Sequence, residues 1–206
     1  MNHLEGISAI VFDLGGVIVD LDIEKTRKSL SLLLGHEQPE FYYSHAHMPG
    51  FSDYEVGRLT EEEFVDTLQK QSTNGTSRQD IVNAWNAMLV NIPEKRIKML
   101  EQLRKNYRLF ILSNTNAIHV NRFENMAPGY TKLSELFERA YYSHIIGTRK
   151  PDKEAFEAVV LGSGLNPETT LFVDDLIANI ASAQQLGFKT LHIKPEQEVA
   201  DFLLPR

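Results

Sequence analysis

Four short polar clusters, each closing or following an apolar run, hold the residues of this chain that could do chemistry together. Ile7 to Phe12 runs into Asp13, with Gly15 and Gly16 close behind. Arg108–Leu112 ends in Ser113-Asn114-Thr115-Asn116, Lys150 stands before Pro151, and Thr170–Val173 ends in Asp174-Asp175. Two or three carboxylates, a lysine and a small hydroxyl are together the parts of a phosphate site. Carboxylates hold Mg²⁺, a hard cation that takes oxygen ligands, keeps several waters and bridges to substrate phosphate. The lysine and the hydroxyl neutralise and orient phosphoryl oxygens. An aspartate such as Asp13 is then free to attack phosphorus in line and form an aspartyl-phosphate.

For these groups to meet, their strands must lie in one parallel sheet and end at one edge. The run into Asp13 has no polar alternation, which marks a strand buried on both faces. In a parallel sheet the strands deliver their last residues to the same edge, where open α/β sheets bind ligands. Taken alone, a core strand followed by a turn accounts for Asp13 and its glycines equally well. The recurrence of polar ends downstream favours convergence. Further strands are expected at Arg139–Ser143 and Lys189–Ile193. Helices are expected at Ala117–Asn125, Asp152–Leu161, Ile177–Leu186 and near Glu196–Leu204. Strand and helix in alternation predict an α/β fold, a doubly wound parallel sheet.

After Asp20 the chain turns polar and helix-forming until about Asn106. Ile23–Leu34 has helical spacing and Gly35 stops it. Thr60 and Glu63 have capping-box spacing, opening a helix to Gln71 that buries Phe64, Val65 and Leu68. Ser77 and Asp80 are a weaker cap for a helix carrying Ile81, Trp85, Met88 and Leu89. Pro93 stands near a further start, with Ile97, Leu100 and Leu103 on one face. Residues 21–92 therefore read as an inserted helical domain, and 1–20 with 93–206 as a Rossmann-like core.

The bulk composition narrows the partners. With 206 residues, 42% hydrophobic and 24% charged, the chain is expected to pack as a globule. A formal net charge of −7 lacks the basic footprint that nucleic acid or anionic membrane requires. The absence of cysteine excludes disulfides, thiolate metal sites and thiol nucleophiles. The first residues have no basic start and too short an apolar run for a signal peptide or membrane span, so a cytoplasmic protein is expected.

Asp13-Leu-Gly-Gly-Val, Leu112-Ser113-Asn114, Lys150-Pro151 and Val173-Asp174-Asp175, in that order, resemble the four motifs of the haloacid dehalogenase superfamily. The insert lies where that family carries its type 1 helical cap. The resemblance implies that Asp13 is both nucleophile and Mg²⁺ ligand. It further implies ligation by the Gly15 carbonyl and Asp174, with Asp175 acting through a water. Ser113 and the backbone amide of Asn114 would hold the phosphoryl group, and Lys150 would pin both it and the nucleophile.

Gly15 departs from the pattern, because most phosphatases of the family place there an aspartate that protonates the leaving oxygen and then activates water. The first motif resembles a subgroup that includes sugar-1-phosphate phosphatases. A Mg²⁺-dependent phosphatase acting on a small phosphorylated metabolite, a sugar phosphate, is therefore expected, as a monomer or homodimer. Two alternatives stand beside it: a non-catalytic phosphometabolite binder, and a metal-independent 2-haloacid dehalogenase. The dehalogenase is disfavoured by Gly15, where such enzymes usually carry an aromatic residue, and by the Asp174/Asp175 pair.

Asp20 is one substitute for the missing acid, although a helix-capping or solvated carboxylate is the commoner role. In the insert, Tyr54, Glu55 and Arg58 are candidates for facing the substrate. His45 and His47, two residues apart, are poorly spaced for a shared metal. Trp85 fits the insert's core, and Asn179 could hold the metal loop in shape.

Overall fold

The computed structural model describes residues 3–35, 50–73 and 75–204. Strand β1 (Ala9–Phe12) is buried along its whole length. Strand β2 (Asp20–Leu21) leads into helix α1 (Ile23–Leu34), which the Asp22 side chain caps by accepting from the Lys25 amide. Gly35 closes it at φ 67°, a left-handed conformation that a residue without Cβ adopts freely. After the short α2 (Phe51–Glu55), α3 (Glu61–Gln71) opens on a full capping box. There the Thr60 hydroxyl accepts from the Glu63 amide at 3.2 Å, and the Thr60 amide donates to the Glu63 carboxylate at 2.9 Å. Ser77 and Asp80 repeat the device on α4 (Arg78–Asn86). Each cap is worth about 1 kcal/mol.

Strand β3 (Leu89–Asn91) and α5 (Glu94–Leu103) lead back to β4 (Arg108–Ser113). Helix α6 (Ala117–Phe123), β5 (Arg139–Tyr142), α7 (Ser143–Ile146) and α8 (Lys153–Ser163) follow. The chain closes with β6 (Thr170–Asp174), α9 (Ile177–Gln185), β7 (Lys189–His192) and α10 (Ala200–Leu203).

Five strands form one parallel sheet in the order β5-β4-β1-β6-β7. Ile10, Phe12, Ile111 and Val173 pack toward α5 and α10 on one face, and Val11, Phe110 and Phe172 toward α8 and α9 on the other. This is the doubly wound α/β fold expected from the alternation of elements. In the register, Phe12 lies opposite Ile111 on one side and Val173 on the other. Asp13, one residue on, is thereby brought level with the ends of β4 and β6.

Helices α1 to α4 share a separate apolar cluster that includes Leu30, Tyr54, Phe64, Leu68, Ile81 and Trp85. The segment between Asp20 and Ile92 is not wholly helical, however. Strands β2 and β3 pair antiparallel, Asp20 with Asn91 and Leu21 with Leu89, so the chain leaves and re-enters the sheet region through one two-stranded ribbon. Helix α4 accordingly ends at Asn86. Met88 lies beyond it and Leu89 begins β3, because the ribbon's pairing competes for those residues. Pro93 is the N-cap of α5 rather than its first residue, and the terminal helix is confined to α10. Among the described residues no helix is long and apolar enough to cross a membrane. His45 and His47 lie outside the described residues.

Candidate active site

The site grows from the ends of β1, β4 and β6. The Asp13 amide donates to Val173 O at 2.9 Å, tying the residue to the adjoining strand just where both leave the sheet. Lys150 arrives from the loop between α7 and α8, and its Nζ donates to Asp13 Oδ1 and Asp174 Oδ2, each at 2.7 Å. Its side chain is 1% exposed and that of Asp174 fully buried, so solvent screens little of this interaction. Asn114 positions the lysine by gripping its backbone. The Asn114 amide group donates to Lys150 O at 2.8 Å, and Lys150 N donates back to Asn114 Oδ1 at 2.9 Å.

Asp174 is held from behind as well as in front. Leu176 N donates to Oδ1 at 2.8 Å, and Asn179 Nδ2 lies 3.0 Å from both oxygens. Asn179 is near the start of α9, so the helix that follows β6 orients the strand's terminal carboxylate. Gly16, at φ 75°, lies against Asp175, and a Cβ there would run into the Asp175 carboxylate. At Gly15 a Cβ would meet Leu21 Cδ1 at 2.7 Å, the tip of a side chain of β2 that would have to turn aside.

Oxygens of Asp13, Asp174 and Asp175 lie within 4.8 Å of one another. Three carboxylates face one ammonium, and the imbalance shows in the titration of Asp13 and Asp175. Burial pushes Asp13 up to about 7, with the Lys150 charge opposing and the Asp174 charge adding to the rise. Burial, then Asp174, also raises Asp175. Burial works against the charge on Lys150, but the Asp13 and Asp174 carboxylates outweigh it and hold its pKa above the ordinary value. A small hard cation among these oxygens would relieve the excess negative charge, and the donor set suits Mg²⁺.

A cavity of about 570 Å³ opens from the cluster toward helices α1 and α4. Asp13, Gly15, Ser113, Asn114, Lys150 and Asp175 line its inner end, and Glu55 its wall. Of the insert residues expected to face substrate, the structure brings only Glu55 there, ion-paired with Arg149. Burial raises the Glu55 pKa against the opposing charges of Arg149 and Lys150.

Tyr54 does not line the cavity. Its ring stacks on Phe64 with centroids 4.3 Å apart, and its hydroxyl accepts from Ile118 N at 3.1 Å. Arg58 is exposed and pairs with Asp53 at 3.2 Å, outside the cavity lining. Both are corrections to the sequence expectation: Tyr54 is held in the apolar cluster of the insert, and Arg58, beyond the end of α2, is held on the surface by Asp53. Asp20 neither caps a helix nor faces the cavity. It pairs with Arg96 at 2.8 Å, and Asp22 takes the cap.

Sequence reasoning gave no role to Arg149 or His119 and named Asn116 only within the polar cluster after β4; all three line the cavity. Asn116 Oδ1 accepts from Trp85 Nε1 and from His119 N, which turns its amide nitrogen toward His119 Nδ1. That leaves His119 Nε2 to carry the proton it donates to Trp85 O, so both ring nitrogens are engaged. Trp85 belongs to the insert's apolar cluster as expected, and one of its faces also lines the cavity.

Residues 7–187 match the model of the haloacid dehalogenase-like hydrolases. The chain belongs to this family. It is 31% identical over 189 residues to a D-ribitol-5-phosphate phosphatase of Bacteroides thetaiotaomicron, covering 89% of this chain and 90% of that protein. A structure of a haloacid dehalogenase family enzyme from the same organism, in complex with magnesium and inorganic phosphate, superposes with a TM-score of 0.87. It is 32% identical, covering 96% of this chain and all of that one. A sesquiterpene phosphatase of Aspergillus oryzae is 24% identical, covering 90% of this chain and 89% of that protein.

Proposed function

We propose that this haloacid dehalogenase-like hydrolase is a Mg²⁺-dependent phosphatase of small phosphate monoesters. The observation that carries the reading is the buried Lys150 ammonium, held 2.7 Å from both Asp13 and Asp174 inside a triad of carboxylates at one sheet edge. The relatives that act on phosphate esters, and the magnesium and phosphate in the solved relative, support it.

Asp13 Oδ attacks phosphorus, the bond from phosphorus to the ester oxygen breaks, and an aspartyl-phosphate forms on Asp13. The alcohol leaves with a proton drawn from solvent, since Gly15 has no side chain to deliver one. Water then cleaves the aspartyl-phosphate and returns Asp13 as a carboxylate with inorganic phosphate. Ser113 and the backbone amide of Asn114 hold the phosphoryl oxygens. Lys150 keeps the nucleophile oriented and neutralises the transferring group. Asp13, the Gly15 carbonyl and Asp174 would hold Mg²⁺, with Asp175 through a water; when bound, the ion supplies charge that offsets that of the phosphate. Residues 21–92 act as the cap and 1–20 with 93–206 as the catalytic core.

The sugar-phosphate substrate expected from the sequence draws its support from the D-ribitol-5-phosphate phosphatase relative. A second reading, an apolar alcohol, is favoured by the wall of the cavity. The test of the phosphatase reading is phosphate release from a panel of phosphomonoesters, with Mg²⁺ or EDTA, by the wild type and by Asp13→Asn. Release that needs both the ion and Asp13 is expected. Release that survives in Asp13→Asn removes the nucleophile.

A further inference from the structure

We infer that the alcohol esterified to the substrate phosphate is apolar over most of its length, a short alkyl, isoprenoid or aryl alcohol rather than a polyol. The inference rests on the phosphatase reading and concerns the part of the cavity beyond the phosphate.

The two ends of the cavity are built from different chemistry. Its inner end is polar, but among the described residues the wall toward the insert includes Val19, Leu30, Phe51, Trp85, Met88 and Phe123. The polar side chains described in this outer half are largely turned on one another. Arg27 grips the Glu24 carboxylate through two nitrogens, and Glu55 pairs with Arg149. Thr26 Oγ1 donates to Trp85 O at 2.9 Å and accepts from Met88 N at 2.9 Å. Asn116 is committed to Trp85 and His119. A polyol entering here would exchange water for hydrocarbon at most of its hydroxyls, and a buried hydroxyl without a partner opposes binding. An alkyl or aryl group gains from the same wall.

A second observation lies at the mouth. Leu21, Ile23 and Leu176 line it and yet are 37%, 52% and 56% exposed. Single exposed apolar residues are ordinary, but three around one opening continue the apolar wall out to solvent. The volume of about 570 Å³ is of the size that takes a drug-sized organic ligand.

The test compares n-pentyl phosphate with ribitol 5-phosphate, which share a five-carbon backbone and differ in the hydroxyls, and adds 2-phenylethyl phosphate. The full chain is assayed with Mg²⁺ for kcat/KM. The hydroxyls of ribitol make it the better leaving group, so chemistry alone biases the comparison against the inference. Each apolar ester is expected to exceed ribitol 5-phosphate by at least about tenfold. Met88→Gln and Leu21→Asn are each expected to shrink that ratio several-fold. The exposed position of Leu21 makes its variant the safer for folding, which circular dichroism verifies. Equal or better use of ribitol 5-phosphate, or a ratio unmoved in a folded Leu21→Asn, overturns the inference and leaves the phosphatase reading standing. Phosphate release from none of the esters overturns both.

Discussion

Replacing Lys150 by Met removes a charge from the most enclosed part of the molecule while keeping most of its volume. Asp13 and Asp174 then lose a donor at 2.7 Å each, at positions 8% and 0% exposed. Deleting one partner of a buried ion pair costs about 3–5 kcal/mol, because the remaining charge is left desolvated and uncompensated. Against a typical total stability of about 5–15 kcal/mol this is a large fraction.

The cost depends on pH, with a sign that can be worked out. Burial raises Asp13 to about 7 even with Lys150 present. A carboxyl raised on folding favours the native state fully below its unfolded value near 4. That contribution is lost as pH rises through the folded value. Without the ammonium the folded value rises further, so a proton on Asp13 stands in for Lys150 under acid conditions and leaves at higher pH.

Urea unfolding in EDTA at pH 5 and pH 8 measures this. The variant is expected to lose about 3–5 kcal/mol at pH 8 and less at pH 5, where Asp13 carries a proton but Asp174 has still lost its donor, and Mg²⁺ should restore part of the loss by binding the native state. The double variant Asp13→Asn/Lys150→Met should be less impaired at pH 8 than Lys150→Met alone, since the charge that needed the ammonium is gone. A loss under about 1 kcal/mol at pH 8, or one of equal size at both pH values, would refute the reasoning.

Two further substitutions probe the metal loop. Gly16→Ala should cost about 1 kcal/mol for a non-glycine residue in the left-handed region, and should shift the Mg²⁺ titration to higher concentration because its Cβ displaces Asp175. An unaltered titration would place Asp175 outside the metal's surroundings. Asn179→Ala strips a donor 3.0 Å from both oxygens of Asp174. Loss of such a supporting contact weakens metal affinity by about 10- to 100-fold, read as a shift in the Mg²⁺ dependence of the melting temperature. An unchanged dependence shows that the aspartate needs no support from α9.

Much of the fold was legible in local pattern. An unbroken apolar run can only be a doubly covered strand or a buried helix, and three such runs ending in polar residues selected the strand. Thr60/Glu63, Ser77/Asp80 and Gly35 marked helix ends because capping is chemistry between residues a few positions apart. The β2–β3 ribbon was not legible: its strands are two and three residues long, and each is stable only through pairing with a segment some seventy positions away.

The same division holds at the site. The order of residue types by itself determined that Asp13, Ser113 and Asp174 stand at the ends of parallel strands, since strand polarity delivers them to one edge, whereas Lys150 reaches that edge from the loop between α7 and α8. Only the tertiary structure decided how they are held. Asn114 spends its side chain on the Lys150 backbone, Asn179 backs Asp174, and the tip of Leu21 lies beside Gly15. It also decided which insert residues reach the cavity, seating Tyr54 in the helical core and turning Glu55 inward. Those outcomes depend on which faces of distant elements pack together, and an apolar wall assembled from Val19, Phe51, Met88 and Phe123 has no periodicity along the chain to announce it.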